Sequence, residues 1–510
     1  MNTREILQRF VATHPMQELL SAVGEISGSS STDITAPSPI HLQGYAGSGA
    51  ALAIAGVYFA TSRPILAVLP DKESAQYFKS DLENLLVGEP VYFLPDSFLK
   101  PFQSNRENAM QVQERIEALN AIRKNNKRIL VTYGAALAEA VVNKEVLEKS
   151  SVEIAKGQQL SVDFLLEFLE ENGFQRADFV FEPGEFSWRG GIIDLFSFAH
   201  EYPFRIEMDG DIIESIRTFD VNNQLSIKEI AHFSLLPNVK EQPSTATLIP
   251  ITEYLSEDTL LFTKELGLQV EELAKGWEKA LQQYQDAIDM SKDSVPKHPK
   301  EVWLTPKTLE NALQGFVHIA ADAIRPRDKE ATIIEFFQQP QPLFQRNFQL
   351  LLEWMSDNKT KGITTLVFSE NSRQIERLLA IIQDIGTQAE FEPVYQGLSE
   401  GFVDGDAKMA FTTEHQLFDK YYKPKGRQRY SSQTSLTLRE LKNLQPGDYV
   451  THINYGIGRF GGLEKMDVNG VKQEVVRIVY RDNDLLYVSV NSLHKISKYT
   501  GKDGTAPVLH

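Results

Sequence analysis

Short apolar runs alternate with amphipathic stretches over the first 150 residues. The runs SPIHLQ, PILAVLP, PVYFLP and RILVTY are typical of buried strands, and the glycine-rich segment GYAGSGAA follows the first of them. Helices are predicted at about 50–61, from Asp71 onward, and at about 107–123. This strand–helix alternation over residues 1–156 predicts a parallel sheet covered by helices.

The pattern changes near residue 157. The amphipathic segment LSVDFLLEFLEENGF predicts a helix that ends at Gly173, and the strand-like runs ADFVFEP, GEFSWRG, GIIDLFSF and YPFRIEMDGDIIESIRTFD follow it. We interpret residues 157–237 as a small α+β domain inserted into the first one. In the remainder, 238–335, apolar positions recur every three or four residues from Val270 to Ile288 and predict one helix with a core-facing stripe.

Three further segments complete the chain. FFQQPQPLFQ is interpreted as a connector, and TTLVFS followed by ENSRQIERLLAIIQDIG predicts a small α/β domain over residues 340–425. Polar, turn-rich residues indicate a linker at 426–445. Over residues 446–505, the runs GDYVTHI, GIGRFGGLEKM, KQEVVRIVY and DLLYVSV predict a small β-barrel, with a hairpin turn at Asn469 and Gly470.

Composition narrows the class of protein. The chain has 510 residues, no cysteine and a net charge of −17. Lack of cysteine excludes disulfides and zinc–thiolate sites, and the acidic balance argues against a surface that coats nucleic acid. No apolar run approaches the ~20 residues of a membrane span, and the N-terminus lacks a signal-peptide pattern. We therefore expect a cytoplasmic protein, without a membrane segment, whose partners are proteins.

The segment GYAGSGAA matches the glycines of the phosphate-binding pattern G-x-x-x-x-G-K-[ST] and departs from it elsewhere. Gly44 and Gly49 are in place, with Gly47 between them, but Ala50 and Ala51 stand where the pattern has lysine and Ser/Thr. Without those groups the loop has neither its terminal-phosphate contact nor its Mg²⁺ ligand. We interpret it as a degenerate phosphate loop and predict no catalytic, cofactor-binding or metal site in the chain, which is then not an enzyme.

Two segments are candidate docking surfaces. Arg189 follows a strand at a glycine-rich bend and Arg205 lies on a later strand, and the planar guanidinium suits carboxylates across an interface. The alternative is a pair of solvated or locally paired arginines. In GRFGGLEKMDVNG, a barrel edge with Arg459, Leu463 and Met466 is a candidate docking strand, although it could equally be an ordinary side of the barrel.

These segments carry a family resemblance. EPGEFSWRGGIIDLFSF and PFRIEMDGDIIESIRTFD closely resemble the segment that UvrB and the transcription-repair coupling factors share. LQPGDYVTHINYGIGRFGGLEKM with LYVSVNSLHKISKYTG resembles the RNA-polymerase-interacting domain of those coupling factors, which is similar to CarD and which UvrB lacks. UvrB also keeps the loop lysine. The resemblance to the coupling factors covers nearly the whole chain.

The resemblance implies an α/β multi-domain fold. Residues 1–156 and 238–335 would form a UvrB-like module with the degenerate P-loop, and 157–237 the inserted α+β domain that binds UvrA. Residues 340–425 would be a small α/β domain of unassigned role. Residues 446–505 would form a Tudor/SH3-like, CarD-type β-barrel that binds RNA polymerase.

The resemblance also implies contact residues. Arg189 and Arg205 fall on the arginines that family members use against UvrA. A third contact is aromatic in some members, and that position is Asp209 here. Arg459, Leu463 and Met466 would lie on the strand that docks on the β subunit of RNA polymerase.

For the longer family proteins the resemblance implies an ATP-driven translocase on double-stranded DNA. Its motor, with ATP and magnesium, lies beyond the polymerase-binding domain, and we expect this chain to lack it. The leading hypothesis is therefore an adaptor that recruits UvrA and docks on RNA polymerase in nucleotide excision repair. The alternatives are a UvrB-like, ATP-dependent damage-verification helicase and a CarD-like transcription regulator.

Overall fold

The computed structural model describes most of the chain. The described residues are 1–28, 39–97, 109–124, 128–145, 151–198, 200, 202–221, 224–235, 248–289, 298–323, 331–385, 390–422, 444–452, 455–468, 471–481, 484–489 and 496–498. They divide into two compact units, residues 1–149 with 242–425, and residues 150–241 with 426–510. Among the described residues, none of the helices combines the length and the apolar character that crossing a membrane requires.

The first unit consists of residues 1–149 and, after the inserted region, residues 242–425. The first region contains helices α1 (Thr3–Val11), α2 (His14–Gly28), α3 (Gly49–Thr61), α4 (Lys72–Leu85), α5 (Ala109–Lys124) and α6 (Gly134–Leu137), and strands β1 (Ile40–Gln43), β2 (Ile65–Leu69), β3 (Val91–Phe93), β4 (Ile129–Tyr133) and β5 (Val141–Val142).

The inserted region consists mostly of strands. It contains strands β6 (Val152–Ala155), β7 (Gln175–Arg176), β8 (Glu185–Arg189), β9 (Ile192–Leu195), β10 (Phe204–Asp209), β11 (Ile212–Phe219), β12 (Ser226–Glu229) and β13 (His232–Leu235), and helix α7 (Val162–Glu171).

The two regions that follow return to alternating strands and helices. Residues 248–335 contain strands β14 (Leu248–Ile249), β15 (Leu260–Thr263), β16 (Val317–Ala320) and β17 (Ile333–Glu335), helices α8 (Leu266–Asp289) and α9 (Pro306–Leu313), and 3-10 turns at Ile251–Tyr254 and Pro299–Glu301. Residues 338–422 contain strands β18 (Gln338–Pro340), β19 (Thr364–Phe368), β20 (Glu392–Val394), β21 (Phe402–Asp404) and β22 (Met409–Thr413), and helices α10 (Phe348–Thr360), α11 (Ser372–Ile385) and α12 (Glu414–Leu417).

The predicted parallel sheet is confirmed. Seven strands pair in the order β17-β1-β16-β15-β2-β4-β3, and every pair is parallel. Strands β2, β4 and β15 are buried along their whole length, as expected for strands with helices on both faces. Asp71 caps α4 as predicted, because its carboxylate accepts the N–H of Ser74 at 2.8 Å.

The stripe predicted for α8 is buried in part. Leu273 and Trp277 are buried, and Trp277 packs with Trp303, whereas Ile288 near the end of the helix is exposed. The stripe therefore faces the core over the middle of the helix and leaves it in the last turn.

Residues 338–422 form a five-stranded sheet in the order β18-β21-β22-β19-β20. Strand β18 lies inside the stretch 336–345, so the prediction of a simple connector there is wrong over those three residues. Their backbone pairs with β21 because Phe336 and Phe344 on either side are buried and hold the chain against the domain. Several core residues of this sheet, including Leu366, Phe402 and Phe411, belong to the same hydrophobic cluster as β1 and α3.

In the inserted region, six strands pair in the order β12-β11-β10-β9-β8-β7, and β6 pairs with β13. The pairing of β6 places Val152–Ala155 with this region, ahead of the predicted start at 157. The strand predicted over ADFVFEP is wrong, because the chain turns there. The carboxylate of Glu185 accepts the N–H groups of Phe181 and Glu182, and Gly184 adopts a positive φ.

Residues 444–498 contain strands β23 (Tyr449–His452), β24 (Gly456–Val468), β25 (Val471–Val479), β26 (Leu485–Ser489) and β27 (Ile496–Lys498). They form an antiparallel sheet in the order β26-β25-β24-β23-β27 around a core with Val450, Val476 and Ile478. Strands β24 and β25 pair as a hairpin up to Val468 and Val471, and the turn residues predicted between them lie outside the described residues.

Candidate functional site

The glycine loop connects β1 to α3 at the carboxyl end of the parallel sheet. Gly44 and Gly47 adopt positive φ angles of 68° and 50°, which a side chain disfavours. The N–H of Ala46 donates to Oε1 of Gln338 at 3.1 Å, and the N–H of Ser48 donates to the carbonyl of Glu400 at 3.2 Å. Backbone donors that would contact phosphates in a working loop are thus bonded to oxygen atoms of the protein.

The residues of this loop do not fit a bound ATP. Ala50 and Ala51 are buried inside α3 and offer neither a cation nor a hydroxyl. Added Cβ atoms at Gly44 and Gly49 would lie 2.1 Å from the carbonyl oxygen of Phe336 and 1.8 Å from Oε1 of Gln338. We therefore derive no nucleotide chemistry at this position. Across the part of the chain that the structure describes, no three His, Asp or Glu side chains are arranged to hold a metal ion.

A buried carboxylate lies beside the glycine loop. Asp81 of α4 accepts the backbone N–H and the hydroxyl of Ser399, each at 2.6 Å. The hydroxyl of Ser48 lies 3.0 Å from that of Ser399 and also forms a hydrogen bond with Asp81. Burial raises the pKa of Asp81 to about 7, although these hydrogen bonds act in the opposite direction.

Arg189 and Arg205 converge on one carboxylate of the inserted region. Asp194 of β9 is fully buried. It accepts Nε and Nη2 of Arg205 at 2.7 and 2.9 Å, and Nη2 of Arg189 at 2.8 Å. The hydrogen bonds from Arg205 to Asp194 raise the pKa of this arginine further. The structure therefore joins the two arginines predicted from sequence and also gives them the local partner of the alternative interpretation.

Each of these guanidinium groups also lies over an aromatic ring. Arg189 lies 4.6 Å from the ring centre of Phe179, and Arg205 lies 4.7 Å from that of Phe219. The side chain of Arg189 is 43% exposed and that of Arg205 is 18% exposed. Arg189 is therefore the more accessible of the two, and Arg205 is held beneath the surface.

Register explains why these side chains share a face. Ser187, Asp194, Arg205, Arg217 and Glu229 stand opposite one another on five consecutive strands, and directly opposed side chains project to the same side. Their neighbours along the strands, such as Phe186, Ile193 and Ile206, are buried on the other side. One face of this sheet thus carries a charged row, and the other forms the core.

Asp209 ends β10 on the same face as Arg205, four residues along the strand, which corresponds to about 13 Å. It is exposed and stands opposite Ile212, whose side chain is 51% exposed. Between the two positions, Glu207 pairs with Arg217, and its hydrogen bonds with Ser215 and Arg217 lower its pKa. The structure therefore separates Asp209 from the arginine pair.

Strand β24 extends past its neighbour β23. Pairing with β23 ends at Arg459, whereas pairing with β25 continues to Val468. Among the described strands, the second half of β24 therefore has a partner on one edge only. A bulge between Phe460 and Gly462 marks the point where the strand leaves β23.

The three residues predicted on β24 do not share one face. Arg459 is exposed, and its guanidinium lies over Tyr449 at 5.3 Å from the ring centre. Leu463 stands opposite Val476, which is fully buried, yet Leu463 is 47% exposed because it lies beyond the end of β23. By strand alternation the half-buried Met466 projects to the side opposite Leu463. An accessible leucine therefore continues the core face at an open strand edge.

Two family models match the chain. The UvrB interaction domain matches residues 152–240, and the CarD-like/TRCF RID domain matches residues 444–500. The transcription-repair-coupling factor of Bacillus subtilis is 25% identical over 92% of this chain and 46% of its own length. That of Haemophilus influenzae is 26% identical over 90% of this chain and 45% of its own length. Over most of its length the chain is therefore similar to transcription-repair-coupling factors.

The candidate sites divide between the matched and unmatched parts. Arg189, Arg205 and Asp209 lie in the match to the UvrB interaction domain, and the β24 residues lie in the match to the CarD-like/TRCF RID domain. The glycine loop lies outside both. The chain spans about half the length of the coupling factors it matches.

Sequence reasoning missed two residues that organise these sites. Asp194 interrupts the apolar run GIIDLF, and a charge inside a buried strand calls for a partner, so it could have been recognised. Gln338 gives no comparable signal, because its contact with the glycine loop joins segments almost 300 residues apart.

Proposed function

We propose that this chain is an adaptor that binds UvrA through the arginine cluster of Arg189, Asp194 and Arg205, and RNA polymerase through β24. The observation that carries the proposal is the position of two arginines on one buried aspartate, inside the match to the UvrB interaction domain.

The charge of the arginine cluster supports a carboxylate-bearing partner. Two guanidinium groups share the single carboxylate of Asp194, so the cluster keeps one net positive charge. Stacking on Phe179 and Phe219 limits the movement of both side chains. A partly exposed arginine held in one orientation loses little conformational freedom on binding, and arginine is enriched among residues that dominate interfaces.

The test uses the full chain and purified UvrA in a binding titration. Arg189→Ala should weaken binding by about tenfold or more, as expected for an interface arginine at the centre of a patch. Asp194→Asn should weaken it too, because it releases both guanidinium groups. Arg176→Ala is the matched control, since Arg176 is an exposed arginine of the same sheet that lies over Trp188.

Thermal melting separates loss of contact from loss of fold. Arg189→Ala should melt near the wild-type temperature because its side chain is partly exposed, whereas Asp194→Asn should melt lower. Wild-type affinity for UvrA in the double variant Arg189→Ala, Arg205→Ala would remove the arginine cluster from the docking surface.

For RNA polymerase, the open edge of β24 supports strand addition by the β subunit. An exposed strand edge offers main-chain hydrogen bonds to an incoming strand, and an accessible side chain beside it adds specificity. Leu463 is the side chain best placed for that contact, and Arg459 and Met466 are proposed on the other face of the strand.

The other two candidate functions predict different binding. ATP hydrolysis by the chain, abolished by changes within residues 44–51, would favour a UvrB-like helicase. Binding to RNA polymerase without any binding to UvrA would favour a CarD-like regulator. Neither is supported by the described sites as well as the adaptor, because N–H groups of the glycine loop are bonded to protein oxygen atoms and Arg189 is partly exposed.

The remaining proposals concern fold and setting. We propose a UvrB-like lobe on the basis of the parallel sheet with a glycine loop after β1, and a Tudor-like barrel on the basis of the curled antiparallel sheet. For the longer protein we propose a translocase that uses ATP and magnesium on double-stranded DNA, and a cytoplasmic location.

A further inference from the structure

We propose that the small α/β part of the first unit, residues 338–422, supplies a built-in occupant of the glycine loop. Its oxygen atoms lie where a phosphate-binding loop would hold phosphate oxygens. The occupant consists of Gln338 and residues 399–401. This assigns a role to a region that neither family model covers, and it does not depend on the proposed adaptor function.

Gln338 forms two hydrogen bonds with the glycine loop. Its backbone N–H donates to the carbonyl of Gly44 at 3.0 Å, and its side-chain Oε1 accepts the N–H of Ala46 at 3.1 Å. The amide is fixed in this orientation because its Nε2 donates to the buried carboxylate of Asp404 at 2.8 Å. This hydrogen bond turns the amide oxygen of Gln338 toward the loop.

Residues 399–401 meet the start of helix α3. The carbonyl of Glu400 accepts the N–H of Ser48, and the N–H of Glu400 donates to the hydroxyl of Ser48 at 3.0 Å. Ser48 is the N-cap residue of α3, yet its side chain does not cap that helix. A helix N-terminus attracts oxygen acceptors because its first N–H groups have no partner within the helix. Here the carbonyl of Glu400 is such an acceptor.

The fit leaves no room for side chains on the loop. A Cβ atom at Gly47 would lie 2.7 Å from the carbonyl oxygen of Gly401, and one at Gly49 would lie 1.8 Å from Oε1 of Gln338. The glycines are therefore required by close approach of the occupant as well as by the turn. A nucleotide phosphate would need the same space.

Contacts with helix α4 anchor the small α/β part beside the loop. Asp81 of α4 holds Ser399 through two hydrogen bonds of 2.6 Å, and the hydroxyl of Tyr422 lies 2.9 Å from that of Ser80 on the same helix. Beneath these contacts, Phe402 packs within the hydrophobic cluster that also contains α3. Opening the loop would therefore expose core as well as break hydrogen bonds.

Hydrogen exchange of the full chain, followed by mass spectrometry, tests this proposal. Wild-type amides in residues 46–52 should be protected without nucleotide, and millimolar ATP with magnesium should not change their exchange. Gly47→Ala should speed exchange both in the loop and in residues 398–402. The matched control is Gly362→Ala, since Gly362 also has a positive φ but an added Cβ there meets no atom within 4 Å.

Ser399→Ala provides a milder variant that should fold, and it should speed exchange on the same two segments. Faster exchange confined to residues 398–402, with the loop unchanged, would overturn the proposal, because the two segments would then be independent. Protection of the loop that appears only with ATP would also overturn it.

Discussion

Two buried aspartates organise the two candidate regions in different ways. Asp194 faces two guanidinium groups, so its charge is balanced inside the sheet. Asp81 faces hydroxyl and amide donors from Ser399 and Ser48, and burial raises its pKa to about 7. The first carboxylate positions the two arginines of the proposed docking surface, whereas the second holds two segments of one core together.

The raised pKa of Asp81 predicts a pH dependence of stability. Its ordinary value is 3.8 and its folded value is about 7, so the folded state binds a proton more tightly than the unfolded state. This contribution to stability is complete below pH ~4 and is lost as the pH rises toward 7, with a slope of at most about 1.4 kcal/mol per pH unit for one proton.

The measurement is chemical unfolding of the first unit at several pH values, with Asp81→Asn as the comparison. The difference in unfolding free energy between wild type and variant should change between pH 4 and 7 and be constant below that range. The carboxylate of Glu400, which adds to the raised pKa, stays in both proteins. A difference that is constant from pH 4 to 8 would contradict the assignment.

The residue-scale chemistry was only partly readable from sequence. Arg189 and Arg205 could be chosen because arginines at a bend and on a strand suit an interface. Their shared contact with Asp194 follows from register across three strands, which composition does not reveal. Asp209 was implied only by the register of the family resemblance, and the structure places it away from the pair.

Among the elements, β24 combines two environments in one strand of 13 residues. Its first part lies between β23 and β25, and its second part pairs with β25 alone among the described strands. The bulge between Phe460 and Gly462 shifts the alternation by one residue, so Leu463 faces the same core side as Phe460 even though β23 has ended. Such an edge is a template for another strand.

This geometry predicts that Leu463→Asp weakens binding to the β subunit of RNA polymerase by about tenfold or more, because a charge would replace a desolvated contact. Leu485→Asp is the matched control, as Leu485 is also about half exposed in the same sheet but lies on β26. The readout is a binding titration with the full chain. Equal losses for both variants would argue for a general effect on the sheet.

Periodicity predicted most elements correctly where one face or both faces are buried. The parallel sheet, α4 and its cap, and the hairpin of β24 with β25 all follow from local patterns. ADFVFEP failed because apolar residues also occur in turns that pack on a core, and Glu185 holds that turn from outside the segment. The connector at 336–345 failed because its strand pairing depends on a partner about 60 residues away.

At the scale of the whole molecule, the two proposed docking surfaces lie on different sheets, each with its own core. Sequence could assign both sheets, since each has its own pattern and its own family match. Sequence could not show that the small α/β part shares a core with β1 and α3, because contacts such as that between Ser48 and Ser399 join distant segments.

Separate sheets predict that one chain binds UvrA and RNA polymerase at the same time. Capture on immobilised polymerase should retain UvrA with the wild-type chain. Arg189→Ala with Arg205→Ala should release UvrA and keep the polymerase, and Leu463→Asp should release both from the support. Mutual exclusion of the two partners by the wild-type chain would contradict independent surfaces.

The proposed occupation of the glycine loop has a consequence for how the surrounding α/β lobe changes state. A nucleotide is consumed and exchanged, so a lobe that holds one passes through a cycle of states. An occupant on the same polypeptide is tethered, is not hydrolysed and returns whenever it leaves. A lobe with such an occupant does not change state through nucleotide turnover. On this proposal, the lobe keeps one state whether or not nucleotide is present.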